Sequence, residues 1–431
     1  MNNKVILCIC TFFLCFFSFA TTNMYVKNKN GNIIKFDVND VEMVVFDDYV
    51  SDDSTISDTF NSPLKFRVLR DSTAEVIADD SYKDFDSVII PAKVRINGIV
   101  YDVSSIGTAA FKYCFSLENI EFSSYITKIC DEAFRDCHNL KNVEIPKNIK
   151  SIGSNAFASC SKIKSIEIPD NVTYIGSFSF HACDSLSNAK ILSSFIGEYM
   201  FNGCSNLKNI DISSNVTVIG KNAFAFCTNL SNIYIPSSVT TIGDGAFSDC
   251  NNLTNINVAP DNSYFTFVDD VLYDKKMTKI VCALTKIKGT YVFPSTVTNI
   301  GNYAFHGCSG LTDIEIPSSV TNIGDYAFKN CFGLTNIEIP SSIDSINYYT
   351  FYGCSGLTSI KLPSTLTYIG VYSFTSCTSL TNVEIPSNVT TIDEYAFDGC
   401  INLDAIIDNS KDKVNIKWYA FHNCKSVTYT K

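Results

Sequence analysis

The sequence predicts a solenoid of stacked short coils, mostly β, and three observations point to it. The pattern Phe-x-x-Cys recurs thirteen times between Phe111 and Cys424, nine of its twelve intervals are 23 residues, and each unit contains a two-residue alternation of apolar and polar side chains. The remaining intervals are 21, 24 and 58. A fixed period of this size means that each unit is one coil resting on the next.

The elements of a coil follow from one unit, AFHGCSGLTDIEIPSSVTNIG, residues 304–324. Leu311, Ile314 and Ile316 point inward while Asp313 and Glu315 point out, as in a half-buried strand. Pro317 ends that strand, because it has no N–H for the ladder. A second short extended piece turns Val320 and Ile323 inward, and Gly324 is expected to permit the backbone turn. Ala327 and Phe328 then refill the interior. Asp325 to Cys331 is too short for more than one or two helical turns, so the coil is expected to be β with tight turns, 3-10 turns or single-turn helices on its convex side. Stacking sets like side chains ~4.8 Å apart, and thirteen coils plus the insert then span ~65 Å.

The cysteines of the repeat are Cys114, Cys137, Cys160, Cys183, Cys204, Cys227, Cys250, Cys308, Cys331, Cys354, Cys377, Cys400 and Cys424. In a ladder their Cβ atoms stand parallel at ~4.8 Å, whereas a disulfide needs ~3.8 Å and converging vectors. Thirteen is also odd. The expectation is a structural column of buried thiols acting as small apolar groups. No second ligand lies at zinc-site spacing within a unit, which argues against metal. Cys130 and Cys282 stand outside the column.

The chain of 431 residues carries a net charge of -11, with pI near 4.9. Arg67, Arg70, Arg95 and Arg135 are its only arginines, so the clustered positive charge that nucleic acid requires is missing. Residues 1–20 read as a secretory signal peptide: Lys4, an apolar run from Val5 to Phe17, and Ser18-Phe19-Ala20 as a cleavage site. That run is short of the ~20 residues of a membrane span, and no transmembrane segment is expected after its removal. Residues 21–46 read as a β-hairpin module turning at Asn30-Gly31. Residues 47–63, DDYVSDDSTISDTFNSP, read as an acidic linker. They lack the glycine and terminal Glu of a calcium loop. Residues 64–102 read as an N-terminal β cap with a turn at Asn97-Gly98, and 103–431 as the repeats.

The unit IGxxAFxxCxxLxxIxIPxxVTxIG resembles the BspA-type leucine-rich repeat of bacterial surface proteins, and residues 103–431 carry it. The resemblance implies a right-handed leucine-rich-repeat solenoid, secreted or at the cell surface on the outer-membrane and periplasmic side. It also implies adhesion to host matrix proteins or to other bacteria. Residues 24–48 resemble a short module that follows the signal peptide in Bacteroidetes members. The stretch from about 258 to 294 resembles a variant unit with an extra hairpin, in which Asp269-Asp270-Val271-Leu272-Tyr273 replaces DGVLY. The unit from Ile191 to Phe201 lacks its proline and two residues, which predicts a local dent.

No reaction can be assembled from the sequence. His138, His181, His306 and His422 read as single solvated side chains, and no metalloprotease, nucleophile-elbow, phosphate-loop or dinucleotide motif occurs. A non-enzyme without cofactor or metal is expected. What remains is the outward strand position: Glu121, Glu144, Glu167, Lys190, Asp211, Tyr234, Asn257, Glu315, Glu338, Lys361 and Glu384. The plain reading is a solubilising face. The sharper one is a concave acidic strip that binds host or bacterial surface proteins, extracellular-matrix proteins among them. Asn209, Asn232 and Asn255, two positions earlier, are expected to form an amide ladder. The alternative, glycan capture for nutrient uptake, calls for aromatic platforms, and Tyr234 is the one aromatic in that row. Asn171, Asn215 and Asn388, each before Val-Thr, read as repeat punctuation.

Overall fold

The structure, a computed structural model, describes residues 62–408 and 413–430 in full, and the backbone of four strands before them. Those strands, Leu7–Cys10, Phe13–Phe16, Asn23–Lys27 and Ile33–Asp37, pair antiparallel in that order. Asn23 pairs Asp37 and Lys27 pairs Ile33. Asn30-Gly31 and most of the expected signal and acidic linker lie outside the described residues. By contacts the chain divides into residues 1–61 with 93–101, and 62–92 with 102–431. In the smaller unit a hairpin turns at Asn97 (φ 53°) and Gly98 (φ 80°), both left-handed as a type I′ turn demands.

In the larger unit most coils supply a strand to each of two parallel stacks. Seven strands pair in parallel, with one register shift at Gly289/Thr290: Lys288–Val292, Gly310–Glu315, Asn336–Glu338, Ser359–Lys361, Asn382–Ile385, Asp404–Ile407 and Ser426–Tyr429. Ile314, Ile337 and Ile360 therefore lie one above another, all buried. The second stack is narrower, two residues per strand, as in Ser345–Ile346, Tyr368–Ile369, Thr391–Ile392 and Asn415–Ile416. Between the stacks run the phenylalanines. Phe111, Phe134, Phe157 and Phe180 stack at 5.1 Å with rings within 7° of parallel. Each coil buries apolar surface only against its neighbours, so stability is a nearest-neighbour property.

The stretch expected to hold helical turns holds none. Among the described residues the one helix is the 3-10 segment Asp80–Asp84 in the cap. In the coils, left-handed residues recur four apart, as at Tyr326 (φ 58°) and Asn330 (φ 60°) in the turn that follows Gly324. The amides of this turn fall into two alternating sets. Ala327, Lys329 and Cys331 donate within the coil to Gly324, Tyr326 and Phe328, at 3.1–3.3 Å. Tyr326, Phe328 and Asn330 donate to Tyr348, Thr350 and Tyr352 of the next coil, at 2.8–2.9 Å. An α-helix would direct every amide along its own axis and leave none to tie the coils together.

Gly324 corrects the expectation attached to it. Its φ is ordinary, and what demands glycine is proximity: a Cβ there would meet the Asn302 backbone N at 2.6 Å and Gly301 C at 2.8 Å. Two coils touch backbone to backbone at that corner.

Residues before the first repeat continue both stacks. Ala74–Val76 pairs parallel with Ile99–Ile106, and Ser87–Ile89 with Asn119–Glu121. Tyr82 stacks on Phe111 at 5.1 Å, so the aromatic column begins before the first repeat.

The insert is more than a hairpin. Phe265–Val268 and Val271–Asp274 pair across Asp269 (φ 48°) and Asp270 (φ 63°). The chain then forms a fourteenth coil. Lys279–Ala283 pairs with Asn299–Ile300, and Lys288–Val292 opens the seven-stranded stack. Leu284 takes the phenylalanine place and Ile287 the cysteine place, the Ile287 amide donating to Leu284 O at 3.1 Å as Cys331 does to Phe328. The expected dent is present too. Phe180 and Phe201 are 5.9 Å apart and tilted by 23°, and Phe195–Ile196 begins a new stack instead of pairing with Tyr174–Ile175.

Candidate recognition surfaces

The cysteine column is free of bridges and does more than fill space. All fifteen described cysteines are free thiols, and of the column only Cys424 is less than fully buried. Every column cysteine after Cys114 donates its thiol to the coil before it. Cys137 reaches Phe111 O at 3.0 Å, Cys331 Phe305 O at 3.2 Å and Cys400 Phe374 O at 3.1 Å; Cys308 makes a longer bond, 3.6 Å, to Leu284 O. Burial pushes the Cys354 thiol up to about 12 and that of Cys114 to about 11. The column thiols are structural donors and poor nucleophiles. Cys282 stays outside the column, whose place on the extra coil Ile287 takes, but it lies near both Cys250 and Cys308.

The four histidines divide. The ring Nδ1 of His138 meets Ser159 O at 2.9 Å, that of His181 meets Asn202 O at 2.8 Å, and that of His422 meets Asp398 Oδ1 at 2.7 Å. His306 contradicts the expectation of a solvated side chain. It is 6% exposed and neither ring nitrogen has a hydrogen-bond partner. It lines a cavity with Gly245, Ser248, Cys282 and Tyr303, opened where the smaller Leu284 coil interrupts the phenylalanines. Burial holds its pKa below the ordinary value, against the pull of the Asp249 carboxylate 3.7 Å away. Among the described residues no three His, Cys, Asp or Glu side chains converge as metal ligands.

All eleven residues of the outward row are exposed. Register joins Glu167, Lys190 and Asp211 in one run and Glu315, Glu338 and Lys361 in another. The lysines are paired within the row, Lys190 to Glu167 at 3.0 Å and Lys361 to Glu338 at 2.6 Å. Glu121 pairs in register with Ile89 of the cap, and Glu384 with Ile406. Tyr234 stands beside Asn257, while Glu144 follows the isolated bridge at Asn142. The amide ladder is broken: Asn209 donates to Asn188 Oδ1 at 2.8 Å, but Asn232 turns to Ser231 Oγ. Asn171, Asn215 and Asn388 each donate to a carbonyl of the preceding coil, at 2.7–3.2 Å.

A second surface was not foreseen. Tyr303, Tyr326, Tyr349, Tyr372, Tyr395 and Tyr419 occupy the left-handed position two residues before each phenylalanine, one per coil. The first five rings stack at 4.6–4.8 Å, and Tyr419 follows at 5.5 Å. The sequence signal was present as Tyr-x-Phe at each of these coils, except Tyr-Thr-Phe and Tyr-Ser-Phe in place of Tyr-Ala-Phe at two of them.

Parallel strands, a leucine and a phenylalanine column and turn-built corners define a leucine-rich-repeat solenoid. The profile of the BspA type leucine rich repeat region matches residues 104–196, 190–293, 281–404 and 345–431, and the chain belongs to that family. It is similar to a leucine rich cell surface protein from Faecalibacterium prausnitzii at 32% identity, with 86% of this chain and 98% of that one covered and a TM-score of 0.70. A leucine-rich repeat protein from Bacteroides ovatus matches at 28% identity over 88% of this chain and 92% of its own, TM-score 0.53. The pneumococcal vaccine antigen PcpA, 23% identical over 81% of this chain and 86% of its own with a TM-score of 0.58, shares the fold. No curated protein matches. Among the described residues no helix is long and apolar enough to cross a membrane. Family and neighbours together indicate a surface or secreted protein of protein-interaction or adhesion type.

Proposed function

We propose that this protein is a non-catalytic recognition module, secreted or held at the cell surface, that binds protein partners through its extended solenoid face. The observation that carries the reading is the seven-stranded stack, whose inward side chains are spent on the core while its outward row stays open over seven consecutive coils. A rigid periodic wall presents many weak contacts in fixed geometry, and such surfaces gain affinity by adding contacts along their length. The cell-surface relative from Faecalibacterium prausnitzii supports the location. Pull-down by the full chain from solubilised surface proteins of partner bacteria and from extracellular-matrix proteins tests it, beside fractionation of the native cell. Recovery of a saturable protein partner supports the proposal; turnover of a substrate, or confinement to the cytoplasm, removes it.

A further inference from the structure

The ladder of tyrosines is not something the fold requires. At the same left-handed position the earlier coils carry Ala109, Glu132, Asn155, Phe178, Tyr199, Asn222 and Gly245, only two of them aromatic, and the backbone is the same. Bulky residues pay most for this conformation, so a run of six consecutive tyrosines marks a feature beyond the solenoid's own needs. Stacking locks each ring, so the surface is ordered before any partner arrives.

The rings that leave the stack show what it offers. Trp418 lies across the ladder, 76° to Tyr395 and 65° to Tyr419, and is 65% exposed. Tyr348, 48% exposed, stands three coils before it at the equivalent position. Glu394 is exposed between them, and Asp398 lies alongside Tyr395. The ladder also shows how a cation sits on it, because Lys329 holds its ammonium 5.5 Å from the Tyr326 ring centre and 5.4 Å from that of Tyr352. Aromatic faces bordered by carboxylates recognise alkylammonium and guanidinium groups.

We infer that the face from Tyr348 to Trp418 docks a lysine- and arginine-bearing segment of the protein partner, its cations seated on these rings and paired with Glu394 and Asp398. The assignment rests on the protein-binding reading above and moves the contact from the acidic strand row to the turn face. Trp418 and Tyr348 are the anchors, since tryptophan, tyrosine and arginine dominate protein interfaces.

The test uses the full chain and a flexible (Gly-Arg)₆ peptide, with (Gly-Glu)₆ and neutral oligosaccharides as comparators, read by fluorescence anisotropy. Binding of the arginine peptide is expected, weakened about tenfold by Trp418→Ala and by Glu394→Lys and steeply reduced by salt. Tyr348→Ala is an independent variant at the other end of the face, and unchanged circular dichroism shows that each variant folds. Glu315→Lys with Glu338→Lys should leave binding within twofold. Loss through the Glu315 and Glu338 changes alone overturns this inference while leaving protein recognition by the strand row intact. Indifference to Trp418→Ala and Tyr348→Ala overturns it as well, since bulk negative charge would then account for the binding. Trp418-dependent capture of an oligosaccharide in place of the peptide contradicts the partner class.

Discussion

The Cys331 thiol donates to the Phe305 carbonyl at 3.2 Å, one coil back and 26 residues earlier. The same carbonyl already accepts the Cys308 amide at 3.1 Å, so one oxygen ties its own turn and receives the next coil. This is what a cysteine supplies at that place and an aliphatic side chain cannot. The site is dry, the space is small, and a weak donor is enough to satisfy a second lone pair.

Cys331→Ala should therefore cost about 1–2 kcal/mol, the sum of a lost buried bond and a small void. Cys331→Ser keeps a donor and should cost less than Cys331→Ala. Urea melts of the full chain measure both. Equal stability of the alanine variant and the parent would reduce the thiol to packing.

Gly324→Ala should be severe for a reason unlike that at Gly98. At Gly324 the added methyl meets backbone atoms of the neighbouring coil, whereas at Gly98 nothing lies within 4 Å and only the φ of 80° opposes a side chain. Alanine is expected to cost about 3 kcal/mol at the first position and about 1 kcal/mol at the second. Thermal melts that rank them the other way would place the strain in conformation.

Acid should weaken the junction around His306. Burial depresses its folded pKa below the reference of 6.5, so between those two values the unfolded chain binds more protons. Stability therefore falls as pH drops from 6.5 toward the folded value, and the loss is complete below it. Asp249, facing the ring, limits the effect, and Lys329 adds to it. His306→Asn should flatten the stability–pH slope below pH 6.5. An unchanged slope would assign the acid sensitivity elsewhere.

The strand row should matter little to folding. Lys361 and Glu338 are 73% and 68% exposed, and pairs in such surroundings contribute roughly 0–1 kcal/mol. Lys361→Ala is expected to shift stability by no more than about 0.5 kcal/mol in urea melts. A larger loss would make the row a structural feature.

Much of the architecture could be read from periodicity. Leu311, Ile314, Ile316, Val320 and Ile323 recur at fixed offsets, and each is buried as the alternation required. The readings that failed share a cause: contacts between coils, which no single unit displays. Gly324 resembles a turn glycine until the neighbouring backbone is in place. Leu284 and Ile287 hid a coil because they replace the Phe-x-x-Cys landmark. His306 holds the same place in its coil as His181 and His422, and only the assembled neighbours, Asp249 and Tyr303 among them, enclose its ring. For the candidate surfaces, the outward row followed from strand alternation. The tyrosine ladder did not, since it lies in irregular turns where neither a two- nor a 3.6-residue period applies.

The most direct test of the stacked columns is sequential alkylation. The full chain is treated with one reagent while native at pH 8, then unfolded and treated with a second, and each cysteine position is read by mass spectrometry. The column cysteines from Cys114 to Cys400 should carry the second label alone, with Cys424 the first of the set to react natively. Positions that accept neither label until a reductant is added would mean bridged sulfurs, and positions that take the native label throughout would mean an interior open to water; either result contradicts the dry column of thiol donors.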